Sequence, residues 1–437
     1  MVALNWPLLF SATPSTLTAM RAPYRFRTNF INAFAGLGWA ATLWLGASTA
    51  RASDADVRLL QQIVDINSGS KNIAGVIAVQ KVIERELKKL GFTTSYVANP
   101  AGDSQSAPLL LGTLKGLQKN KFVTLIGHAD TVFENSSGFL KFSQSVDGTQ
   151  LLGPGVGDDK GGLVIALAGL SQFLAGGKPL PYSLRFVSAP NEEVGSTGFG
   201  ELYRSYAEDS VMALGFEDAL ADGALAQSRS AITKYGIKIR GKEAHAGTDH
   251  QKGANACIEL SMKLVALSRL TDYDRGTTVN VGSISGGTEK TNIVCGAAEA
   301  EVEVRSKSPE NMKSIMAKVE SVLKQTFVRS TVGGIPTTTD FTVKTGRTPF
   351  PVNAKSQPFF KKYKELLSQI EGRPITAKQM AGSADISFWA GAQMIAIDDL
   401  GAIGGAAHTQ QEHILRSSLD SRANAFAEFM NWALPRL

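Results

Sequence analysis

Between Ile232 and Lys344 the sequence reads strand, helix, strand, strand, helix, strand, and no other stretch restricts the fold as much. Ile232–Arg240 alternates apolar and polar residues, Ala254–Leu270 carries apolar residues at helical spacing, and Thr277–Ile284 and Ile293–Arg305 alternate again. A helical pattern at Pro309–Thr326 and a last strand at Thr337–Lys344 complete the order βαββαβ, which predicts a ferredoxin-like α+β sandwich. The rhythm on either side is different. Helical patterns at Ala55–Val64 and Ala74–Leu90 lead into apolar strand runs at Phe122–Ile126, Ser183–Ala189 and Val211–Phe216, with a helix at Gly162–Leu174. A helix at Ala354–Ile370, a strand at Met394–Ile397 and a helix at Leu419–Trp432 follow. Strand runs that are apolar on both faces argue for an α/β layer. The expected organisation is one α/β domain, residues 53–230 and 345–437, with residues 231–344 inserted into it.

The first 52 residues read as an address. Arg21, Arg25 and Arg27 precede an uncharged stretch from Thr28 to Ala50 with an apolar core around Ala33–Ala47, and Ala50-Arg51-Ala52 supplies a small-x-small cleavage site. Cleavage after Ala52 and a periplasmic or secreted destination are expected; Met20 is a second candidate start. An uncleaved anchor is the alternative, since the stretch is nearly long enough to span a bilayer. Asn29, Asn32, Gly36, Gly38 and Thr42 interrupt it. The leader also explains the charge. The chain of 437 residues has 45 basic and 39 acidic side chains, a net +6, and four of those charges are leader arginines. The rest has no basic stripe interleaved with aromatics, so neither nucleic acid nor a stable membrane partner is expected. Cys257 and Cys295 fit either free thiols or one disulfide, and no second pair completes a thiolate metal site.

The chemistry sits at strand ends and glycine loops. His128 and Asp130 follow the strand Phe122–Ile126 in Gly-His-Ala-Asp-Thr-Val, at the edge where open α/β sheets bind ligands. Alone, His-x-Asp fits a structural histidine as well as a metal ligand oriented by a carboxylate. The run from Gly153 to Gly162, Gly-Pro-Gly-Val-Gly-Asp-Asp-Lys-Gly-Gly, lacks the Gly-Lys-Ser/Thr of a phosphate loop, and its two acids repel phosphate and attract a cation. Either Asp158 or Asp159 is then a ligand candidate. Asn191-Glu-Glu-Val-Gly195 ends the strand Ser183–Ala189, and adjacent carboxylates are costly unless a divalent ion neutralises them. Glu217 and Asp218 end another strand, and His408 follows the glycine-rich segment from Gly401 to Gly405. Each signal has a bland reading, such as a solvated helix start for Glu192-Glu193. Together they indicate a binuclear site of imidazole and carboxylate ligands, suited to Zn²⁺ with Co²⁺ or Mn²⁺ as substitutes.

This ordered motif set resembles the zinc-dependent exopeptidases and deacylases that include glutamate carboxypeptidase, acetylornithine deacetylase, succinyl-diaminopimelate desuccinylase and aminoacylase. The resemblance runs from about Asp54 to the C-terminus and is strongest to the bacterial glutamate carboxypeptidase branch, through the Gly153–Gly162 run, Asn191-Glu-Glu, Phe216-Glu217 and Gly-Arg-x-Pro-Phe at Gly346–Phe350. It implies a mixed-sheet catalytic domain and an inserted lid and dimerisation domain. It implies two Zn²⁺ per subunit, His128 on one and His408 on the other, Asp158 bridging, Glu193 and Glu217 completing the shells. Glu192 is then the general base and Asp130 orients His128. His245, in Ala-His-Ala-Gly, reaches the substrate carbonyl of a neighbouring subunit in a homodimer, and Asn292 and Arg305 hold the substrate. Two departures bear on this set. Asp218 stands where relatives often have Pro, and Asp159 competes with Asp158 until the family pattern selects the acid two before Lys160. His250 and His413 match no motif and read as solvated or structural, Arg305 also reads as an outward-facing charge, and Asp385 as a helix cap.

The expected activity is removal of a C-terminal residue, with glutamate the leading candidate, from a small peptide or N-acyl amino acid. An aminoacylase or dipeptidase is the alternative on the same metal site, and a non-catalytic binding protein is remote because no ligand or base is missing. If the leader is a cleaved export signal, mass spectrometry of protein from a secreting host will find Ser53 at the N-terminus; an intact leader recovered in the membrane would establish an anchor instead.

Overall fold

The computed structural model describes residues 54–437 except 289, 392 and 393, so the leader lies outside the described residues. Six strands form the main sheet in the order Thr93–Val97, Leu109–Leu114, Tyr182–Ala189, Gln118–His128, Ser210–Gly215, Ile395–Ile397. The last four run parallel, and the first two are antiparallel additions, so the sheet is mixed. Its central strands are buried on both faces, as their unbroken apolar runs require. The helix Lys160–Ala175 packs against Arg416–Ala433, and Ile73–Lys89 lies against the antiparallel side. Lys160–Ala175 is apolar nearly all round because the sheet and a second helix both cover it. No helix among the described residues is long and apolar enough to cross a membrane.

The βαββαβ stretch forms a separate antiparallel sheet of four strands, ordered Thr277–Gly286, Ala297–Ser306, Ala231–Arg240, Thr338–Arg347. Relative to the chain this is the second, third, first and fourth strand, the ferredoxin-like order. One face carries Tyr235, Ile237, Ile239, Ala300, Val302 and Val304 into a core shared with the helices Ala256–Ser268 and Pro309–Lys324. Period-two alternation follows directly, since only one face is covered. Asn255 and Ser308 cap the two helices by accepting from the N–H groups of Ile258 and Asn311.

Within the βαββαβ stretch, two boundaries differ from the sequence pattern by three residues or more. The strand expected to begin at Ile293 begins at Ala297, because the preceding segment is occupied elsewhere: Ile293 bridges to His245, and the N–H of Val294 donates to the carbonyl of Ala244. The last strand continues to Arg347, beyond the Lys344 at which alternation ends, through an irregularity between Val343 and Thr345. Cys257 and Cys295 are joined in a disulfide that ties the start of the Ala256–Ser268 helix to the Ile293–Cys295 segment.

Candidate active site

Because their strands are parallel, His128, the Asn191-Glu192-Glu193 turn and Glu217-Asp218 all emerge at one edge of the main sheet. Asp158 arrives from the glycine-rich loop before the Lys160–Ala175 helix. Gly162 is required there, since a Cβ would lie 1.9 Å from the carbonyl oxygen of Phe216 and 2.0 Å from Asp159 Oδ1. His408 sits in the loop between the short paired strands Gly404–Gly405 and His413–Leu415. Its φ of 66° is left-handed, a costly conformation for a residue with a side chain, and of a kind that concentrates at functional sites.

Asp158 is the centre of the cluster. Its Oδ1 lies 2.9 Å from His128 Nε2 and its Oδ2 lies 3.0 Å from His408 Nε2. Glu193 Oε2 is 3.3 Å from the same His408 nitrogen. Two groups therefore offer ligand atoms within 4.8 Å of one another: His128, Asp158 and Glu217, and Asp158, Glu193 and His408. Asp218 falls in neither group, and Asp159 Oδ2 instead accepts from the backbone N–H of His128 at 3.0 Å. The donors fit a borderline-soft divalent ion: imidazole nitrogen and carboxylate oxygen without sulfur. Glu193 Oε1 is buried with no hydrogen-bond partner among the described residues, as a ligand atom reserved for a cation would be.

The electrostatics point the same way. Burial, then the Asp158 charge, pushes Glu193 up to about 8 from its ordinary 4.5. Burial and Glu192 hold Glu217 well above the carboxylate range. Burial opposes charge on His128, but Asp130 and Asp158 raise its pKa well above 6.5. Hydrogen bonds to Asp158 and Glu193 lift His408 to about 11. Asp158 is held well below the usual range, its burial outweighed by the two histidines. The positive charges that meet these carboxylates are the two imidazoles and, towards Glu217, the Arg229 guanidinium.

Three residues around the cluster hold it in shape. The carbonyl oxygen of Asp130 lies 3.0 Å from His128 Nδ1, leaving Nε2 to face the cluster. Its carboxylate accepts from the N–H groups of Glu192 and Glu193 at 2.9 and 3.2 Å and from Ser70 Oγ at 2.7 Å. Glu412, which no sequence pattern marked, accepts from the N–H groups of Gly155, Gly157 and Asp158 at 3.2, 2.9 and 3.1 Å. It thereby clips the His408 loop to the Asp158 loop. Arg347, the arginine of the Gly-Arg-x-Pro-Phe segment and one of the cations, with Lys234 and Lys290, that the sequence offers for a second substrate carboxylate, donates to Glu192 Oε1 at 2.6 Å.

The remaining sequence candidates divide. Arg305 lines a cleft of about 330 Å³ together with Glu192, Glu193, Lys234, Arg347 and His408. Its Nε donates to Glu303 at 2.6 Å. His245 and Asn292 are exposed and line no part of that cleft; they sit beside each other, the N–H of Ala246 donating to the carbonyl of Asn292. Gly247 and Thr248 donate to His245 Nδ1 at 3.1 Å, which fixes the ring. Asp385 caps no helix: it is the first residue of the short helix Asp385–Trp389, and its buried carboxylate accepts from Arg347 at 2.7 Å.

Two outcomes follow from this geometry. A carboxylate with a raised folded pKa binds protons more tightly folded than unfolded, so Glu193 costs stability as pH climbs from about 4.5 towards 8. His408 acts in the same direction: its stabilisation is complete below 6.5 and is lost as pH rises through about 11. The chelated protein should therefore lose Tm steadily between about pH 5 and 8, and Zn²⁺ should flatten that slope; a chelated Tm that rises over this range would contradict the assignment. Glu412→Gln should weaken metal binding roughly 10- to 100-fold in competition with a chromophoric chelator, whereas unchanged affinity would show that the clip is dispensable.

Residues 124–432 match the family model described as Peptidase family M20/M25/M40. Carboxypeptidase G2 of Pseudomonas sp. (strain RS-16) is 29% identical over 276 residues, 62% of this chain and 64% of its own length, so the chain spans just under two thirds of that relative. A succinyl-diaminopimelate desuccinylase of Bradyrhizobium sp. (strain ORS 278) is 24% identical over 336 residues, covering 70% of this chain and 82% of its own. Among solved structures, an M20 family metallo-carboxypeptidase of Sulfolobus solfataricus superimposes with a TM-score of 0.66 at 16% identity, covering 87% of this chain and 99% of the other. A tripeptidase of Staphylococcus aureus gives 0.67 at 21% identity, with 87% and 98% covered. The fold, the cluster of imidazole and carboxylate groups at the sheet edge and the family match over most of the chain make it a member of peptidase family M20/M25/M40, the metal-dependent hydrolases.

Proposed function

We propose that the chain is a binuclear zinc carboxypeptidase that hydrolyses the amide bond of a C-terminal amino acid, with glutamate the favoured residue. The observation that carries this reading is Asp158, whose two oxygens face two different histidines while Glu192 stands beside them in the cleft. His128 and Glu217 would hold one ion, His408 and Glu193 the other, and Asp158 both. When bound, such ions acidify a water and polarise the scissile carbonyl. Glu192 takes a proton from water and delivers it to the leaving nitrogen, a step worth on the order of 10²–10⁴-fold.

Recognition falls to the four-stranded sheet. Arg305 offers a guanidinium to the substrate α-carboxylate, a planar fork that lysine cannot reproduce. Of the cations available for a second carboxylate, Lys234 lines the cleft, Lys290 does not, and Arg347 is engaged by Glu192. Residues 231–344 act as the lid and dimerisation domain in this reading. Ile258, Met262 and Val265 leave an exposed apolar stripe on the Ala256–Ser268 helix, and Ile284 is exposed on the edge strand Thr277–Gly286; both favour a second copy as the partner. His245 and Asn292 then serve the neighbouring subunit's cleft, with His245 stabilising the oxyanion. Export to the periplasm or medium is part of the proposal, supported by the cleavage-site pattern at Ala52 and by the disulfide between Cys257 and Cys295.

The second reading is an N-acyl amino acid deacylase or dipeptidase, which the desuccinylase relative favours. Hydrolysis of a panel of peptides and N-acyl amino acids by the zinc-loaded protein separates the two, and no cleavage of any free-carboxylate substrate would refute both. Glu192→Gln should abolish hydrolysis and retain two metal equivalents. Mixed with His245→Ala, it should regain activity in heterodimers, each supplying what the other lacks; full activity in a demonstrated monomer would remove the cross-subunit role.

A further inference from the structure

Arg347 ends the strand Thr338–Arg347 and is buried, yet the reaction proposed above gives it no step. Its guanidinium is nearly surrounded. Nη1 donates to Glu192 Oε1 at 2.6 Å and to Ser383 Oγ at 3.3 Å. Nη2 donates to the Glu192 carbonyl oxygen at 3.2 Å, to Ser196 Oγ at 3.1 Å and to Asp385 Oδ1 at 2.7 Å. Ser196 Oγ in turn donates to the same Asp385 oxygen, closing a triangle of arginine, aspartate and serine. The next residue is pinned too, Thr348 Oγ1 donating to the Ser387 carbonyl at 3.0 Å.

We propose that Arg347 is the positioning residue of the general base: it fixes Glu192 by one carboxylate oxygen, leaving the other for the reacting water, and is itself aimed by Asp385 and Ser196. The inference rests on the reading of Glu192 as the base. A glutamate has three rotatable side-chain bonds, and a base that wanders by an ångström loses on the order of 10²-fold in rate. Asp130 fixes only the backbone at Glu192; the side chain is fixed by Arg347. The double contact, to Oε1 and to the main-chain carbonyl of the same residue, sets the carboxylate's orientation relative to its own backbone. A lysine carries the charge but cannot span Glu192 and Asp385 together. Arg347 belongs to the four-stranded sheet and Glu192 to the main sheet's edge, so the base is aligned only while the two are seated together.

The test uses the full chain loaded with zinc. Arg347→Lys should lower kcat on the order of 10²-fold with KM changed less than about threefold and metal content unchanged. Asp385→Asn and Ser196→Ala should lower kcat in the same sense by smaller factors. Added guanidinium should restore part of the kcat of Arg347→Ala, and methylammonium should not. A rise in KM with kcat preserved would overturn the proposal and make Arg347 a substrate-binding residue. Crystal structures give a readout independent of any substrate. Glu192 should be ordered against Arg347 in the native chain and displaced in Arg347→Lys; the same Glu192 rotamer in both would overturn the proposal, even if the activity were to prove different from a carboxypeptidase. Wild-type protein that cleaves nothing in the panel, with Glu192 still displaced in the variant, would sink the functional reading and leave the positioning contact standing.

Discussion

Like charges that cannot reach water dominate this molecule. Asp158, Glu192, Glu193 and Glu217 are gathered at one edge of the main sheet's parallel strands, and burial, with the neighbouring carboxylates, raises the pKa of three of them. Only a cation can hold such a group in its charged form, and everything nearby is arranged either to receive one or to substitute for it. The imidazoles of His128 and His408 take that part, drawing Asp158 down while they are themselves drawn up. Behind the cluster, Arg229 is buried against Asp398 and Asp399, with contacts of 2.5 Å to each, and Arg347 stands against Glu192 and Asp385. Removing one partner from a buried pair of this kind typically costs about 3–5 kcal/mol, so the two arginines are as much a condition of the site as the ligands.

A candidate ligand set spread from residue 128 to residue 408 needs devices that fix distance. His128, Glu192-Glu193 and Glu217 are registered by adjacent parallel strands, where pairing leaves little slack. Asp158 and His408 have no such help, being 250 residues apart on loops. Glu412 supplies it. Its carboxylate accepts from the N–H groups of Gly155, Gly157 and Asp158, and the same short loop that holds Glu412 carries His408 in a left-handed backbone. The strain at His408 is tolerated because the loop's other end is anchored, a local cost met by hydrogen bonds elsewhere.

The sequence makes legible whatever depends on chain-local pattern. The parallel strands are continuous apolar runs, the four-stranded sheet alternates, and the ligands sit beside glycines or at run ends, where a reader of period and punctuation looks first. Glu217 could not be separated from Asp218, nor Asp158 from Asp159, by pattern alone, because adjacent residues differ only in where the backbone aims them; the structure groups Glu217 and Asp158 with the histidines. Glu412 is not legible as a site residue at all, and Arg347 is legible only as a spare cation in the Gly-Arg-x-Pro-Phe segment, not as the partner of Glu192. One is a single acid in Gln-Gln-Glu-His, the other a single base at a strand end, and their roles exist only through contacts with residues 155–158 and 192. The start of the Ala297–Ser306 strand is hidden for the same reason, since the pairing of Ile293 with His245 is a tertiary fact.

The site is therefore assembled from two supports with different physical character. The main sheet edge contributes ligands whose spacing is set by strand pairing and a doubly buried core, which resists distortion. The four-stranded sheet contributes Lys234, Arg305 and Arg347 from its open face and its end, and it has a hydrophobic core of its own. A sheet with an independent core can shift as a body without unpacking the ligand edge, while ligands on the parallel strands cannot move without breaking the core that spaces them. Side chains that must adapt to substrates of different size are better carried on the first kind of support, and those that must hold a fixed cluster on the second. Arg347 lies at the seam, bonded to Glu192 on one side and continuous with the four-stranded sheet on the other. The contact that aligns Glu192 is thus also the contact that reports whether the two supports are together.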